Sequence, residues 1–566
     1  MKDNKAALAD YNQSIKLQPN NGTNYILRGI FYSVNMKDYQ AALTDYNQAI
    51  KLQPDDADAY YLRGDIYKEL KDNKAAFADY NQAIKLEPDN ADAYYSRGYF
   101  YKELKDYQAA FADLSQAIKL QPDNATAYKR RADVLYQLNK YQEALEDYNQ
   151  AIKVQPDYVN SYILRGIVRK ELKDYQEALA DFNQALKLQP DNDNAYYWRG
   201  QVFYLLKDYQ AALTDYNQAI KLQPDDANAY YWRSKVFYVL KDYQAALADL
   251  NQAIKLQPDD ANNYVSRGIV HKELKDYPAA LADYNQAIKL QPNSDNYVSR
   301  GIVHKELKDY PAALADYNQA TKLQPNNADA YYWRGDVHYE LRDYQAALAD
   351  LNQVIKLQLD NANAYFWRGV VRYFLIDYQA ALTDLNQAIK LQPNDASNYY
   401  WRGYIRKELK DYQAALADCN QAIKFEPNNA KGYHCRGGVY HKQGDYKTAL
   451  SEYTQALVKD EKFAVAYTKI GYIKYEKGDI EGAIQQWQKA IQIDSDVTGA
   501  QFALAVVSYS KGEQQKALDM AQAALRLDKT LTNVEVLKQS LWGKRLIAEG
   551  EKLLSHPSIQ AWRTKQ

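Results

Sequence analysis

The chain has few of the features on which covalent chemistry, nucleic-acid binding or membrane insertion depends. Only two of its 566 residues are cysteines, Cys419 and Cys435, and we expect both to be small, unpaired packing residues in a reducing compartment. Basic and acidic residues number 71 and 72, so the basic excess that a nucleic-acid surface needs is missing. No apolar run approaches the ~20 residues that cross a bilayer. The composition therefore argues against nucleic acid as a partner and against a membrane span.

Catalytic and targeting motifs are missing as well. The sequence shows no nucleophile–base pair, phosphate-binding loop or metal-ligand cluster, so we predict no enzymatic activity, no catalytic residues, no metal and no cofactor. Lys2, Asp3 and Lys5 interrupt the start of the chain, where a signal peptide would need an apolar segment. These observations predict a cytoplasmic location.

What the chain does have is a block of 34 residues that recurs along nearly its whole length. A fixed period of this size indicates a solenoid, in which each repeat buries its apolar face against its neighbours. The spacing is 34 almost throughout, with one interval of 35 and one of 33. The prolines that mark the period are Pro19, Pro54, Pro88, Pro122, Pro156, Pro190, Pro224, Pro258, Pro292, Pro325, Pro393 and Pro427.

Each repeat predicts an antiparallel pair of helices, as the block 57–90 shows when Ala57 is taken as position 1. Asp56 is a candidate N-cap for a first helix and Asp72 for a second one. Small and aromatic residues recur at i, i+4 and i+7 within both halves, which is one face of a helix. Pro88 closes the repeat because proline cannot continue a helix.

This pattern resembles the tetratricopeptide repeat, which has conserved residue types at positions 4, 8, 11, 20, 24, 27 and 32. The matching residues in this block are Tyr60, Gly64, Tyr67, Ala76, Tyr80, Ala83 and Pro88. The resemblance implies an all-α fold, a right-handed α–α superhelix whose inner wall is made by the first helices. It also implies protein or peptide partners. The closing segment, which contains Trp542 and Pro557, resembles the end of long arrays in bacterial proteins, cyanobacterial ones among them.

The sequence divides into four segments. Residues 1–21 match only the second helix of a repeat, 22–531 hold fifteen tandem repeats, 532–555 form one amphipathic capping helix, and 556–566 are a tail. The leading hypothesis is a scaffold that assembles protein complexes through a groove. Because the first half-repeat is incomplete, two alternatives stay open: a regulatory arm of a larger enzyme, and a structural array that self-associates through its N-terminal edge.

A charge pair recurs inside the repeats. Thirteen repeats carry arginine at position 7 together with an acidic residue at position 23, and both charges disappear together in repeats 14 and 15. This joint loss predicts an ion pair between the two helices of one repeat. We expect it between Arg199 and Asp215 and between Arg233 and Asp249.

Partner recognition is predicted where the repeats differ, on one stripe of the first helix at positions 5, 9, 12 and 13. We call this stripe the first-helix face. Six of the fifteen repeats place lysine and glutamate at positions 12 and 13, whereas repeats 6, 7 and 11 place large apolar residues there, as hot-spot anchors would. Alternatively, these residues form a dry contact between turns of the superhelix. The candidate residues are Tyr197, Gln201, Tyr204, Leu205, Tyr231, Lys235, Tyr238, Val239, Phe366, Val370, Tyr373 and Phe374.

Overall fold

The structure is a computed structural model that describes residues 2–564, and the described residues form helices and turns with no β-strand. The chain divides into two compact bodies, an N-terminal unit of residues 1–276 and a C-terminal unit of residues 277–566, with the division inside repeat 8. The helices of the N-terminal unit are α1 (Lys2–Leu17), α2 (Gly22–Phe31), α3 (Tyr39–Leu52), α4 (Ala57–Glu69), α5 (Asn73–Leu86), α6 (Ala91–Glu103), α7 (Tyr107–Leu120), α8 (Ala125–Gln137), α9 (Tyr141–Val154), α10 (Val159–Glu171), α11 (Tyr175–Leu188), α12 (Asp193–Leu205), α13 (Tyr209–Leu222), α14 (Ala227–Val239), α15 (Tyr243–Leu256) and α16 (Ala261–Glu273).

The C-terminal unit continues the same alternation of first and second helices and ends with three further helices. Its helices are α17 (Tyr277–Leu290), α18 (Ser294–Glu306), α19 (Tyr310–Leu323), α20 (Ala328–Glu340), α21 (Tyr344–Leu357), α22 (Ala362–Phe374), α23 (Tyr378–Leu391), α24 (Ala396–Glu408), α25 (Tyr412–Phe425), α26 (Ala430–Gln443), α27 (Tyr446–Lys459), α28 (Ala464–Glu476), α29 (Ile480–Ile493), α30 (Thr498–Ser510), α31 (Gln514–Leu527), α32 (Val534–Gln539), α33 (Lys544–Leu554) and α34 (Pro557–Thr564).

Within one repeat, the helix boundaries follow the predicted caps and the two helices pack through small residues. Asp56 accepts hydrogen bonds from the backbone N–H groups at the start of α4, and Asp72 accepts one from Ala75 at the start of α5. A Cβ on Gly64 would lie 2.9 Å from the Tyr80 ring, which is too close for an unshifted side chain. The predicted helix pair is confirmed, and position 8 is small because the aromatic ring at position 24 packs directly on it.

The turn between the two helices always uses one residue in the left-handed region at position 15. Lys71 has a φ of 62° there, and Ile376 has a φ of 63°. Glycine takes this place in the last three repeats, at Gly444, Gly478 and Gly512. Left-handed φ is unfavourable for side chains with a Cβ and most unfavourable for β-branched ones. In the other twelve repeats, a residue with a Cβ therefore adopts this unfavourable backbone conformation.

The two repeats of unusual length absorb the change in different places. The 35-residue repeat ends its first helix with a π-helical turn, Tyr32–Met36, which accommodates one extra residue without displacing the second helix. The 33-residue repeat instead shortens a connection, since α17 ends at Leu290 and α18 begins at Ser294. In the 35-residue repeat the helix pair itself is preserved, because α2 and α3 pack against each other.

Two expectations from the sequence are wrong. Cys419 and Cys435 are not unpaired but form a disulfide, with 5.6 Å between their Cα atoms. Position 24 of one second helix packs against position 6 of the next first helix, and this contact brings the Cα atoms within the usual range for a disulfide.

The expected single helix over 532–555 is also wrong, because the segment is broken. It follows the 3-10 turn Lys529–Thr532 and comprises the short α32 and then α33. Leu541 has a φ of 69°, which ends any continuation of α32, and Gly543 begins α33. The expected tail from 556 onward forms α34 over its described part.

Candidate functional site

The predicted ion pair joins the two helices of one repeat. Arg199 Nη2 lies 2.7 Å from Asp215 Oδ1, and Arg233 Nη2 lies 2.6 Å from Asp249 Oδ1. In both pairs the arginine Nε donates to the second carboxylate oxygen, so the contact is bidentate. The same within-repeat contact to an acidic residue is made by Arg28, Arg63, Arg97, Arg131, Arg165, Arg300, Arg334, Arg368, Arg402 and Arg436.

The arginine also reaches the preceding repeat, which the sequence reasoning missed. Arg233 Nη1 donates to Asn217 Oδ1 at 2.6 Å, and Arg199 Nη1 donates to Asn183 Oδ1 at 2.6 Å. Both asparagines stand at position 25 of the preceding second helix. A signal was available, because position 25 loses its asparagine in repeats 13 and 14, directly before the two repeats that lack the arginine. The guanidinium therefore fixes three helices at once and positions each first helix against two second helices.

In repeats 6 and 7 the first-helix face presents aliphatic side chains to solvent. Leu205 is 44% exposed and Val239 is 39% exposed, and both stand at position 13. They follow Tyr204 and Tyr238, which are half-buried. Burial raises the pKa of both phenols above the ordinary tyrosine range, so both hydroxyls stay protonated at neutral pH. The two neighbouring repeats thus offer a paired tyrosine and aliphatic surface.

Tyr204 of repeat 6 packs against aromatic rings of its own repeat and of the next one. The Tyr204 ring lies 5.7 Å from the Trp232 ring of the next repeat and 5.9 Å from the Tyr209 ring. The Tyr238 ring lies 5.8 Å from the Tyr243 ring, and its next repeat has serine in place of tryptophan. Trp232 therefore fills space between repeats, and Tyr238 has fewer aromatic neighbours than Tyr204.

The other candidate residues of repeats 6 and 7 lie beneath or beside this surface. Gln201 is buried and accepts a hydrogen bond from Lys170 Nζ at 3.3 Å. Burial raises the pKa of Tyr197 to about 12. Lys235 Nζ lies 5.2 Å from the Tyr231 ring centroid and 4.8 Å from that of Trp232, a cation–π arrangement that orients the ammonium group. Lys235 stands one helical turn before Val239 on α14.

The candidate residues of repeat 11 belong to the C-terminal unit and form a separate aromatic cluster. Val370 is fully buried, so it supports the helix and presents no surface to a ligand. Phe374 is half-exposed and stacks on Tyr344, with 4.9 Å between ring centroids and 8° between planes. Tyr373 packs on Trp401 at 5.6 Å, and Phe366 lies 5.3 Å from Trp367. This cluster is mostly internal packing between repeats.

Comparison with protein families identifies the repeat. Profiles described as tetratricopeptide repeat or TPR repeat match residues 34–71, 64–105, 91–124, 132–173, 163–227, 206–261, 242–295, 301–342, 335–374, 362–395, 403–444, 437–478 and 471–512. The chain belongs to the tetratricopeptide repeat family. TPR solenoids are typical scaffolds for protein–protein interaction, and such scaffolds are generally not catalytic.

Solved structures with the same kind of fold are distant from this TPR chain. The crystal structure of the APC/C hetero-tetramer Cut9-Hcn1 shares 15% identity with a TM-score of 0.45, and the match covers 89% of this chain and 96% of that one. Yeast Tom70 shares 16% identity with a TM-score of 0.35, covering 80% and 98%. YrrB, titled a TPR protein with an unusual peptide-binding site, shares 23% identity with a TM-score of 0.28, covering 32% and 94%. No curated protein matches this chain.

Residues 2–564 of the TPR chain show neither a candidate metal centre nor a candidate membrane span. That part of the chain has no group of three or more histidine, cysteine, aspartate or glutamate side chains able to hold a metal ion. Within the same residues, none of the helices combines the length and the apolar character that a membrane crossing requires.

Proposed function

We propose that this TPR protein binds a peptide segment or a protein surface on the first-helix face of repeats 6 and 7. The observation that carries the proposal is the exposure of Leu205 and Val239 at position 13. Eight other repeats use glutamate at this position, and Glu171 is 38% exposed there. Two consecutive repeats with exposed aliphatic residues, at a position that is charged in nine of the fifteen repeats, are expected at an interaction site.

The chemistry of this surface defines the ligand. The half-buried Tyr204 and Tyr238 offer rigid aromatic area at low entropic cost, and hot spots favour tyrosine for this reason. Leu205 and Val239 provide the apolar rim of the same surface. Lys235 adds one positive charge next to them. A matching ligand therefore places an apolar or aromatic side chain between repeats 6 and 7 and a carboxylate within reach of Lys235.

The test replaces the two aliphatic residues at position 13 with glutamate, the residue that eight other repeats have there. Leu205→Glu with Val239→Glu should leave the fold unchanged, because exposed glutamates occupy the same place in Glu69 and Glu171. Wild-type protein would be used to select ligands from a library of random peptides. The selected peptides should bind the double variant at least tenfold more weakly, or about 1.4 kcal/mol.

The matched control is Glu171→Gln, which removes a charge at position 13 of repeat 5. The affinity of this variant for the selected peptides should equal that of the wild type. A Tyr204→Ala, Tyr238→Ala variant should also lose more than about 1 kcal/mol of binding free energy with a smaller change in stability. If affinity stays constant while the melting temperature collapses, these tyrosines are packing residues only and the proposal fails.

A further inference from the structure

A segment near the C-terminus contacts the first helices α26, α28 and α30 of the C-terminal unit, and Lys442 of α26 links it to Glu408 of α24 in repeat 12. We call residues 533–543, which comprise α32 and the turn after it, the docked segment. Lys469 Nζ donates to the Ser540 carbonyl oxygen at 2.7 Å. Lys442 Nζ donates to the Lys538 carbonyl oxygen at 3.4 Å. The two lysines thus bind the C-terminal carbonyl groups of α32, where a helix presents its partial negative charge.

Apolar side chains of the docked segment are buried beside these hydrogen bonds. Leu537 and Trp542 are both buried. The Trp542 ring lies 5.5 Å from the ring of Tyr472 in α28 and 5.7 Å from that of Phe502 in α30. A leucine and a tryptophan five residues apart, with acceptor oxygens between them, form the recognition pattern of this segment.

A position that is open to solvent elsewhere in the array is covered beside the docked segment. Glutamates at position 13 have side-chain exposures of 49% at Glu69, 38% at Glu171 and 36% at Glu273, but only 4% at Glu408. Lys442 connects repeat 12 to the docked segment, because its Nζ lies 3.5 Å from Glu408 Oε2 and also donates to the Lys538 carbonyl oxygen. Repeats 12 to 14 therefore have a first-helix face that is covered at Glu408, whereas Leu205 and Val239 on the face of repeats 6 and 7 are exposed.

The chain that follows the docked segment is fixed to α28 by hydrogen bonds at the start of α33. Glu476, at position 13 of α28, accepts hydrogen bonds from the backbone N–H groups of Leu546 at 3.0 Å and Arg545 at 3.3 Å. It thereby caps the N-terminus of α33, which has no side-chain cap from its own sequence. α33 also packs on both α28 and α30. The anchor holds the docked segment close to its face even when the segment itself is released.

The docked segment has the properties of a contact that can open. α32 has six residues, and Leu537 is its one buried side chain, so it cannot form a stable helix alone. Leu541 follows in the left-handed region, which is unfavourable for a leucine. Lys407 and Lys442 share the carboxylate of Glu408, and Lys442 and Lys469 donate to neutral backbone carbonyl groups of the docked segment. A carboxylate ligand would form stronger, charge-assisted hydrogen bonds with the same lysines.

We propose that the docked segment is an intramolecular ligand that keeps the first-helix face of repeats 12 to 14 closed. The face would bind in trans a protein segment of the same pattern, with a leucine and a tryptophan five residues apart and acceptor oxygens between them. This second site is independent of the surface on repeats 6 and 7, so either proposal can fail without the other.

The experiment uses the full chain and a fluorescein-labelled synthetic peptide of residues 533–546. In a Leu537→Asp chain, the endogenous segment carries a charge at its buried position and should leave the face. Fluorescence anisotropy should then show saturable binding of the peptide, at least tenfold tighter than binding to the wild type, where the tethered segment competes at high effective concentration. The matched control, Glu535→Gln, alters an exposed residue of the same helix and should behave like the wild type.

Two further measurements keep the proposal falsifiable. A peptide that itself carries Leu537→Asp should not bind any of the chains. Hydrogen exchange on the wild type should show the amides of Ser540 and Trp542 exchanging through an opening that α28 does not share. If no chain with an intact circular dichroism spectrum binds the peptide, or if these amides exchange only together with α28, the segment is a permanent cap and the proposal is overturned.

Discussion

Arg233 Nη1 donates to Asn217 Oδ1 at 2.6 Å across the junction between repeats 6 and 7. The same guanidinium holds Asp249 within its own repeat through Nε and Nη2. One side chain therefore stabilises both the fold of a repeat and its contact with the preceding neighbour. In a solenoid, stability is approximately a sum of these two contributions, so changes at this position act on both.

Removal of the acidic partner should be costly. Asp249→Ala leaves Arg233, whose side chain is 19% exposed, without its bidentate acceptor. Loss of one member of a largely buried pair costs on the order of 3 kcal/mol. Urea unfolding followed by circular dichroism should show this loss, and Asn217→Ala should cost only about 1 kcal/mol because Asn217 is exposed and provides a single hydrogen bond.

Removal of both charges should cost far less than removal of one. Repeat 15 provides the natural replacement, with Leu504 and Met520 at the two positions. Burial raises the pKa of Asp249 in spite of the adjacent arginine, which indicates that desolvation opposes the pair strongly. Arg233→Leu with Asp249→Met should therefore lie within about 1 kcal/mol of the wild type. A double variant as unstable as Asp249→Ala would show that the pair has no hydrophobic equivalent here.

The features that could be predicted from the sequence are those that many copies repeat or lose together. The Arg233–Asp249 contact was predictable because Leu504 and Met520 replace both charges at once. The Asn217 contact was missed although the same signal exists, because position 25 loses its asparagine in repeats 13 and 14, directly before the two repeats without the arginine. The disulfide of Cys419 and the break at Leu541 occur in single copies, where no internal comparison exists. Their cause is tertiary: packing of neighbouring helices and the docking of α32.

The left-handed position of the turn predicts a stabilising substitution. Ile376 is a β-branched residue with a φ of 63° and an exposure of 65%. Its backbone is therefore strained, and its exposed side chain makes little packing contact that would offset the strain. Ile376→Gly should raise the free energy of unfolding by about 1 kcal/mol, because the relief of strain exceeds the entropic cost of glycine. Lys410→Gly at the same position should gain less, since lysine tolerates this region better than isoleucine. A destabilised Ile376→Gly chain would show that the isoleucine side chain packs productively.

Two buried histidines predict sensitivity to acid in repeat 13. Burial, reinforced by Lys469 and Lys407, lowers the pKa of His434 and of His441 to about 3. The unfolded chain, with an ordinary histidine pKa near 6.5, binds more protons than the folded chain between these values. The stability contributed by the neutral imidazoles is therefore complete above pH 6.5 and is lost as the pH falls toward 3. At pH 5 the loss amounts to roughly 2 kcal/mol for His434 alone.

A phenylalanine variant isolates this contribution. His434 packs against Tyr453 and Phe463, with ring centroids 5.8 Å and 5.5 Å away, so His434→Phe fits an aromatic site. The opening free energy of α26, measured by hydrogen exchange at pH 7 and at pH 5, should fall less in the variant than in the wild type. An equal fall in both chains would mean that His434 does not remain neutral in the folded state.

The N-terminal edge should be the least stable part of the N-terminal unit. None of the described side chains of α1 is buried, from Asn4 onward, and Leu17 is 71% exposed. The packing of α1 on α2 includes the contact of Tyr11 with Phe31, whose rings lie 5.5 Å apart. A terminal element with one interface opens most easily in a solenoid. Amides of α1 should exchange faster than those of α3, and Tyr11→Ala should release α1 while α3 keeps its protection.

If two chains cover this edge, sedimentation velocity will show a dimer and α1 will be protected. A monomer with a protected α1 would contradict both outcomes.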